Sequence, residues 1–480
     1  MFIVLALFLS SGCGGSSGGD VHINSNTNTN TITSRDQTGD NTGNDTGTIT
    51  SNDQPPTPPT TSGDQAGNDT GGTTSNDQSG NTDTNTNTNT NTNNNTGNTS
   101  LTFDSTSYTT GTANGVTYRA YSNITYVASP VNESYQRLSI FIPETYFSGG
   151  TLNGYTASTA PIFMANGSAG YSAAGISTPD RSTSAGAALA KGYVVASPAI
   201  RGRDVSNGTA PACIVDYKAA VRYIKYNASR LPAGNVDRII SCGTSAGGAI
   251  SSLLGATGNS PDYDTWLEAL GAADASDDIF ASICYCPITN LDNADGAYEW
   301  TFGDSSTAST TLASQFVTYV NSLGLSYTLN TDGTGTFADY LESLGISLST
   351  YGATRDKTDI PAFDRLDLSS AENKEFGNKH FTDYGYDNNT ASTNAMADSD
   401  VIIAMNPMNY IGVDGVDTAQ YWFIRHGMND RDTSLAVPAL LALKLQNAGC
   451  TVDFKAVSGQ GHGGDYDIDN ILSSIDSILQ

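Results

Sequence analysis

Residues 101–480 are expected to form an α/β fold, a mostly parallel sheet with helices on both faces. Three observations lead there. Short apolar runs recur at 161–165, 193–196, 238–242, 279–286, 421–424 and 451–457, lengths that suit buried strands better than helices. Segments with helical spacing separate them, such as Ile214, Tyr217, Val221 and Ile224 behind Pro211. Strands that alternate with helices pair in parallel and are covered on both sides. Finally, Ser245, Asp430 and His462 each follow an expected strand, and sites in such sheets lie at the carboxyl ends of the strands.

Taken in order, 116–121 and 124–127 read as two strands turning near Asn123, and 138–143 as a third. The rhythm then becomes strand and helix. The run 161–165 ends in Asn166-Gly167, an Ala-rich helix follows at 184–190, and 193–196 is the next strand. Pro211 opens a helix, 238–242 is a strand, and Ile250, Leu253 and Leu254 mark the helix behind it. In the strand 279–286, alternation puts Cys284 and Cys286 on one face. After 421–424 comes a helix at 435–447 closed by Gly449, and 451–457 is the last strand. Residues 291–400 interrupt this rhythm. Phe316, Val317, Val320 and Leu323 mark one helix there, and Phe337, Tyr340, Leu341 and Leu344 another. They are expected to form a helical lid inserted over the site.

The segment 14–100 is different in kind. Thr, Asn, Gly, Ser and Asp dominate it, and Thr-Ser-x-Asp-Gln recurs at 33–37, 50–54, 61–65 and 74–78. Such a chain buries too little apolar surface to offset its entropy, so it is expected to be a disordered tether. Ahead of it, an apolar run of nine residues ends in Ser10-Ser11-Gly12-Cys13, far too short to span a membrane. This pattern resembles a bacterial lipoprotein signal. The resemblance implies lipidation of Cys13, an extracytoplasmic location at the cell envelope, and membrane contact only through that anchor. The net charge of −27 argues against a nucleic-acid partner, whose phosphates require a basic surface. None of the six cysteines forms a zinc pattern. Buried small hydrophobes are the expected role for these thiols, with a disulfide as the alternative.

The chemistry centres on Gly243-Thr244-Ser245-Ala246-Gly247. A strand, a glycine-flanked serine and a helix make up the nucleophile elbow of α/β-hydrolases. A serine hydroxyl needs a base to take its proton and a carboxylate to orient that base. Of four histidines, His22 lies in the tether, His380 in the insertion and His426 next to the acidic loop, which leaves His462 as the base. The acid is expected between nucleophile and base in the chain. Asp430 and Asp432 both qualify, with Asp430 preferred as the first after its strand. An oxyanion needs backbone donors. The amide of Ala246 is one, and Ala169 or Gly170 of the loop after 161–165 is expected to be the other.

Several stretches match a known family. They include Arg201-Gly202-Arg203, Gly243 to Gly248, Cys286-Pro287-Ile288-Thr289, Pro361-Ala362-Phe363-Asp364 and Glu372-Asn373. With them go His380-Phe381-Thr382, Ile424-Arg425-His426-Gly427, Asp430-Arg431-Asp432-Thr433-Ser434 and His462-Gly463-Gly464-Asp465-Tyr466. Over 101–480 the chain resembles bacterial subtype B tannases and related esterases. The resemblance implies a serine esterase with Ser245, Asp430 and His462 as its triad, acting on galloyl-type esters, a plant polyphenol among them, through an acyl-enzyme. It further implies that Asp432, Glu372 and a lid lysine hold the galloyl hydroxyls. Lys357 fits that role best, with Lys374 and Lys379 nearby. No metal or organic cofactor is implied. The alternatives are a feruloyl or general carboxylesterase and, in another class, a noncatalytic surface binding protein on a hydrolase shell.

Overall fold

The computed structural model describes residues 100–365, 367–379 and 396–479. Cys13, nearly all of the 14–100 tether, and His380 lie outside the described residues. Among the described residues, nine strands form one sheet in the order β1-β2-β3-β5-β4-β6-β7-β8-β9. The first three are β1 (Thr109–Ala113), β2 (Val116–Thr125) and β3 (Arg137–Pro143), followed by β4 (Pro161–Asn166) and β5 (Val194–Ala199). The rest are β6 (Asn235–Thr244), β7 (Ala281–Tyr285), β8 (Tyr421–Gly427) and β9 (Thr451–Val457). Antiparallel pairing links β1 to β2, β2 to β3 and β3 to β5. From β5 onward every neighbour is parallel.

Parallel pairing explains the continuous apolar runs. β5 and β7 are buried at every position, as strands covered on both faces must be. β1 and β9, at the two edges, are partly exposed. Helices α1 (Ser184–Ala190), α2 (Ala212–Tyr226) and α3 (Ala246–Ala256) follow β4, β5 and β6. α1 packs with the C-terminal helix Ile468–Leu479, while α2 packs with α3.

Two expectations for the strands are corrected. Residues 116–127 do not form a hairpin about Asn123. They hold one strand, β2, with a bulge between Tyr121 and Ile124. The true hairpin turn is Asn114-Gly115, at φ 49° and 79°, the left-handed pair that a two-residue turn requires. Cys284 and Cys286 do not share a face either. β7 ends at Tyr285, and Cys286 sits at φ 41°. Cys284 lies against Ser282, and the Cys286 Sγ lies 3.5 Å from both the Gly463 carbonyl and the Tyr466 hydroxyl. All five described cysteines are free thiols.

The helix behind the elbow is anchored at its far end. Lys218 on α2, fully buried, donates to the Thr257 carbonyl at 2.6 Å, at the C-terminus of α3, and to Asp277 at 2.7 Å. A cation at this end of the helix complements its dipole. It also satisfies a carbonyl that the helix leaves unpaired. Lys218→Ala leaves Asp277 with Arg222 as its remaining cation, at 2.7 Å, and takes the donor from the Thr257 carbonyl, so the expected cost is about 1–3 kcal/mol. Urea unfolding followed by circular dichroism should show that loss in full; an unchanged midpoint would contradict it.

Between β7 and β8 the chain runs through a helical segment. It includes α4 (Leu291–Phe302), α5 (Thr307–Ser322), α6 (Thr336–Ser343), α7 (Leu348–Tyr351), α8 (Ala371–Glu375) and α9 (Ser399–Ala404). α5 and α6 carry the two apolar stripes read from the sequence. Among the described residues, no helix is long and apolar enough to cross a membrane.

Candidate active site

β6 ends at Thr244 and α3 begins at Ala246, so Ser245 occupies the corner between them, at φ 60° and ψ −123°. This backbone is strained for a residue with a Cβ. The tightness of the corner dictates Gly243, where a Cβ would stand 2.3 Å from the Gly247 carbonyl oxygen. Gly248 is held as closely: a Cβ there would come within 2.7 Å of the Tyr285 carbonyl oxygen.

The loops after β8 and β9 meet at this corner. Met428 and Asn429 donate to the carbonyls of Val457 and Gln460 at 2.9 and 2.8 Å. The fully buried Arg425 reaches across to Asp453 and Asp467, at 2.8 Å each. These contacts bring the acidic loop and the histidine loop together. His462 Nε2 lies 2.8 Å from Ser245 Oγ, and Nδ1 lies 2.9 Å from Asp430 Oδ2. The second oxygen of Asp430 accepts from the amides of Asp432 and Thr433.

The electrostatics run in one direction. Burial alone would raise the Asp430 carboxyl; the hydrogen bond from His462, with the neighbouring rings, brings it down to about 2. Burial likewise disfavours a charged His462, but the bond to Asp430, the neighbouring Cys286 and the charges of Asp430 and Asp432 outweigh it and raise its pKa. Asp432 Oδ2 stands 3.4 Å from Nε2. The two candidate acids thus take different places, Asp430 behind the ring at Nδ1 and Asp432 on the serine side. His426 is fully buried, with its pKa brought down to about 4 chiefly by burial. Its Nε2 lies 3.2 Å from the hydroxyl of Tyr351 on α7.

Asn166 pins the loop after β4 to the elbow. Its amide donates to the Gly247 carbonyl, and the Gly247 amide donates to the Ser168 carbonyl. Ala169 lines a cavity of about 290 Å³ beside Ser245. Gly170, at φ 52°, faces Ala371 and Arg203, and its carbonyl accepts from Arg203. The amides of Ala246 and Ala169 have no hydrogen-bond partner among the described residues.

Lys357 Nζ lies 3.6 Å from Asp432 Oδ1 and above the Phe363 ring. Glu372 is buried on α8 and its pKa is raised by that burial, against the pull of Lys357 and Arg203. Of the other two lysines, Lys374 is exposed and Lys379 pairs with Asp398. Arg203, His426 and Tyr351 had no assigned part in the site as read from sequence. Arg203 and His426 stand in the quoted motifs, but Tyr351 lies 75 positions before its partner. Cys286, His426 and Asp430 bring atoms of metal-ligating type within 4.8 Å of one another, although Asp430 Oδ2 is already engaged by His462.

The BD-FAE family model matches residues 154–321. Among solved structures, a tannase from Fusobacterium nucleatum superposes with a TM-score of 0.75 at 38% identity, over 80% of this chain and 100% of that one. A tannin acyl hydrolase in complex with 3,4-dihydroxybenzoate gives 0.73 at 40% identity, over 79% and 99%. A tannase from Lactobacillus plantarum gives 0.73 at 37%, over 79% and 100%. No curated protein matches. Identity at this level over the full length of the relatives makes the chain a member of the bacterial tannase family of α/β-hydrolase esterases.

Proposed function

We propose that the chain hydrolyses esters of galloyl-type aromatic acids through an acyl-enzyme on Ser245. The observation that carries this reading is the placement of Asp432 between His462 and Lys357, with Glu372 close by. Carboxylates and an ammonium are the partners that phenolic hydroxyls require. Related tannin acyl hydrolases are seen in complex with ethyl gallate and 3,4-dihydroxybenzoate, which supports the same acyl class here.

In the reaction, His462 Nε2 takes the proton as Ser245 Oγ bonds to the ester carbonyl carbon. The oxyanion lies against the amides of Ala246 and Ala169. His462 then gives its proton to the departing alkoxide, and the ester C–O bond breaks. Water repeats the sequence to release the acid. Asp430 keeps the ring in the tautomer whose Nε2 accepts. The BD-FAE match favours a second reading in which a feruloyl group fills the acyl site.

Asp432→Asn tests the acyl assignment. Loss of a charged partner from the phenolic hydroxyls should lower kcat/KM for methyl gallate roughly 10- to 100-fold relative to p-nitrophenyl acetate. Equal losses on both esters would sink the assignment. The same variant reports on the base. His462 acts only when neutral, so activity rises with pH through its pKa. Removing a negative charge from beside Nε2 destabilises the imidazolium. The acid limb of the acetate profile should therefore move to lower pH, by roughly one unit or less given the exposure of Asp432.

We further infer that the enzyme is exported and held at the cell envelope by a lipid on Cys13, on a tether formed by 14–100. The run of small residues before Cys13 supports this. Radiolabelled palmitate should enter the wild type and not Cys13→Ala; equal labelling of both refutes it.

A further inference from the structure

Behind the triad lies a cluster of side chains that ester hydrolysis does not use. β7 and β8 pair in parallel with Tyr285 opposite Arg425, and the Cys286 amide donates to the Arg425 carbonyl at 2.7 Å. Cys286 and His426 are therefore neighbours, and Asp430 lies one helical-turn's length of chain beyond His426. All three are fully buried, and one ligand-type atom from each lies within 4.8 Å of the others.

His426 is the unusual member. Its Nδ1 is buried with no hydrogen-bond partner among the described residues, and it stands 3.8 Å from Asp430 Oδ2. The Tyr351 hydroxyl accepts from the Leu435 amide at 3.2 Å and donates to the Thr433 carbonyl at 3.5 Å. Its remaining lone pair accepts from His426 Nε2 at 3.2 Å, so the ring proton sits there and Nδ1 carries a lone pair. That lone pair faces a carboxylate oxygen, with a thiol beside both. Buried acceptors opposed in this way are costly.

We propose that Cys286, His426 and Asp430 form an inhibitory site for a thiophilic divalent cation, Zn²⁺ or its heavier congener Cd²⁺. Thiolate, imidazole and carboxylate are the donors such ions take, at about 2.0–2.3 Å. Tetrahedral bonds of that length separate the donors by about 3.3–3.8 Å, a spacing that Nδ1 and Oδ2 already have. On binding, the Cys286 S–H bond breaks, its proton leaves to water, and the thiolate takes the metal. Thiolate and carboxylate together balance the two charges of the ion, so the buried site is neutral. Water fills the fourth position.

The way in is the loop 459–464, which covers Cys286 Sγ with the Gly461 and Gly463 carbonyls at 3.8 and 3.5 Å. A Cβ added at either glycine would meet nothing within 4 Å, so the loop is loosely packed there. The inhibition follows from Asp430 Oδ2, which also holds His462 Nδ1 at 2.9 Å. A carboxylate bound to a metal is a poorer acceptor. His462 then loses the charge that orients it and stabilises its imidazolium, while the ester site stays open.

The test titrates the full chain with Zn²⁺ during turnover of p-nitrophenyl acetate, so it depends on the triad and not on the acyl assignment. kcat should fall with KM unchanged, and a chelator should restore it. Mg²⁺, which avoids sulfur, should do nothing. In Cys286→Ser the half-inhibiting Zn²⁺ concentration, taken against that variant's own metal-free rate, should rise at least roughly tenfold. Cd²⁺ should give the wild type a thiolate-to-metal charge-transfer band in the ultraviolet that Cys286→Ser loses. Competition between Zn²⁺ and the ester would put the ion at His462 and Asp432 instead, and overturns the site without any variant. Equal inhibition of both proteins, or inhibition of neither, also overturns it. If the wild type does not cleave this ester, the triad assignment falls separately, and an equal Cd²⁺ band in both proteins overturns the metal site.

Discussion

Ser245→Ala should lower kcat by about 10⁴- to 10⁶-fold, the range seen when a serine nucleophile is removed from such a site. Every other component survives the change. The loops that carry Asp430 and His462 are tied to each other and to Arg425, and alanine removes only the 2.8 Å contact of the serine hydroxyl with His462 Nε2. Ser245 sits at φ 60°, so the strain belongs to its Cβ, which alanine retains. The variant should therefore unfold at nearly the wild-type temperature while losing turnover of gallate and acetate esters alike. Ser245→Gly removes the Cβ, and relief of a left-handed residue is worth about 1–3 kcal/mol. An inactive yet more stable glycine variant would identify the elbow as a place where stability is given up for geometry. Activity within tenfold of wild type in either variant would remove Ser245 from the mechanism.

The sheet was legible where local chemistry and the tertiary environment agree. The helix at 184–190 and the strand at 451–457 match their expected limits, because an N-cap Thr, Gly192 and the Gly449 turn punctuate them. Legibility failed where a residue's role is set from far away. Asn123 looked like a turn, yet pairing with β3 on both sides of the bulge keeps β2 continuous. The Asn114-Gly115 dipeptide was the stronger signal, hidden because β1 is Thr- and Gly-rich and nearly bare of apolar side chains. The C-terminal helix Ile468–Leu479 was not anticipated, although Ile471, Leu472 and Ile475 have helical spacing and are fully buried. Sequence order admitted both Asp430 and Asp432 as the acid, and preferred Asp430 only because it comes first after its strand. Only the folded loop shows one carboxylate at Nδ1 and the other beside Nε2. Tyr351 and His426 could not be paired from sequence, since the inserted segment alone joins them.

Asp430→Asn should lower kcat by about 10⁴-fold while leaving the fold and KM for acetate esters nearly unchanged. The reason lies in what surrounds the carboxylate. Asp430 is fully buried. Its Oδ1 faces two donors, the amides of Asp432 and Thr433, at 2.9 and 3.3 Å. Its Oδ2 faces His462 Nδ1 at 2.9 Å. An asparagine must keep its oxygen toward the two amides, since an NH2 group there would set donor against donor. That orientation points the NH2 at His462 Nδ1. The ring responds by accepting at Nδ1 and carrying its proton on Nε2, the nitrogen that must take the proton of Ser245. The volume is conserved and both amides stay satisfied, so stability changes little. The imidazolium formed during attack also loses its counter-charge, and the His462 pKa falls with it. The residual activity should thus keep its plateau to lower pH than the wild type. A loss of less than tenfold would mean that Asp432, 3.4 Å from Nε2, can orient the ring alone. The order of the two carboxylates proposed for this loop would then have to be reversed.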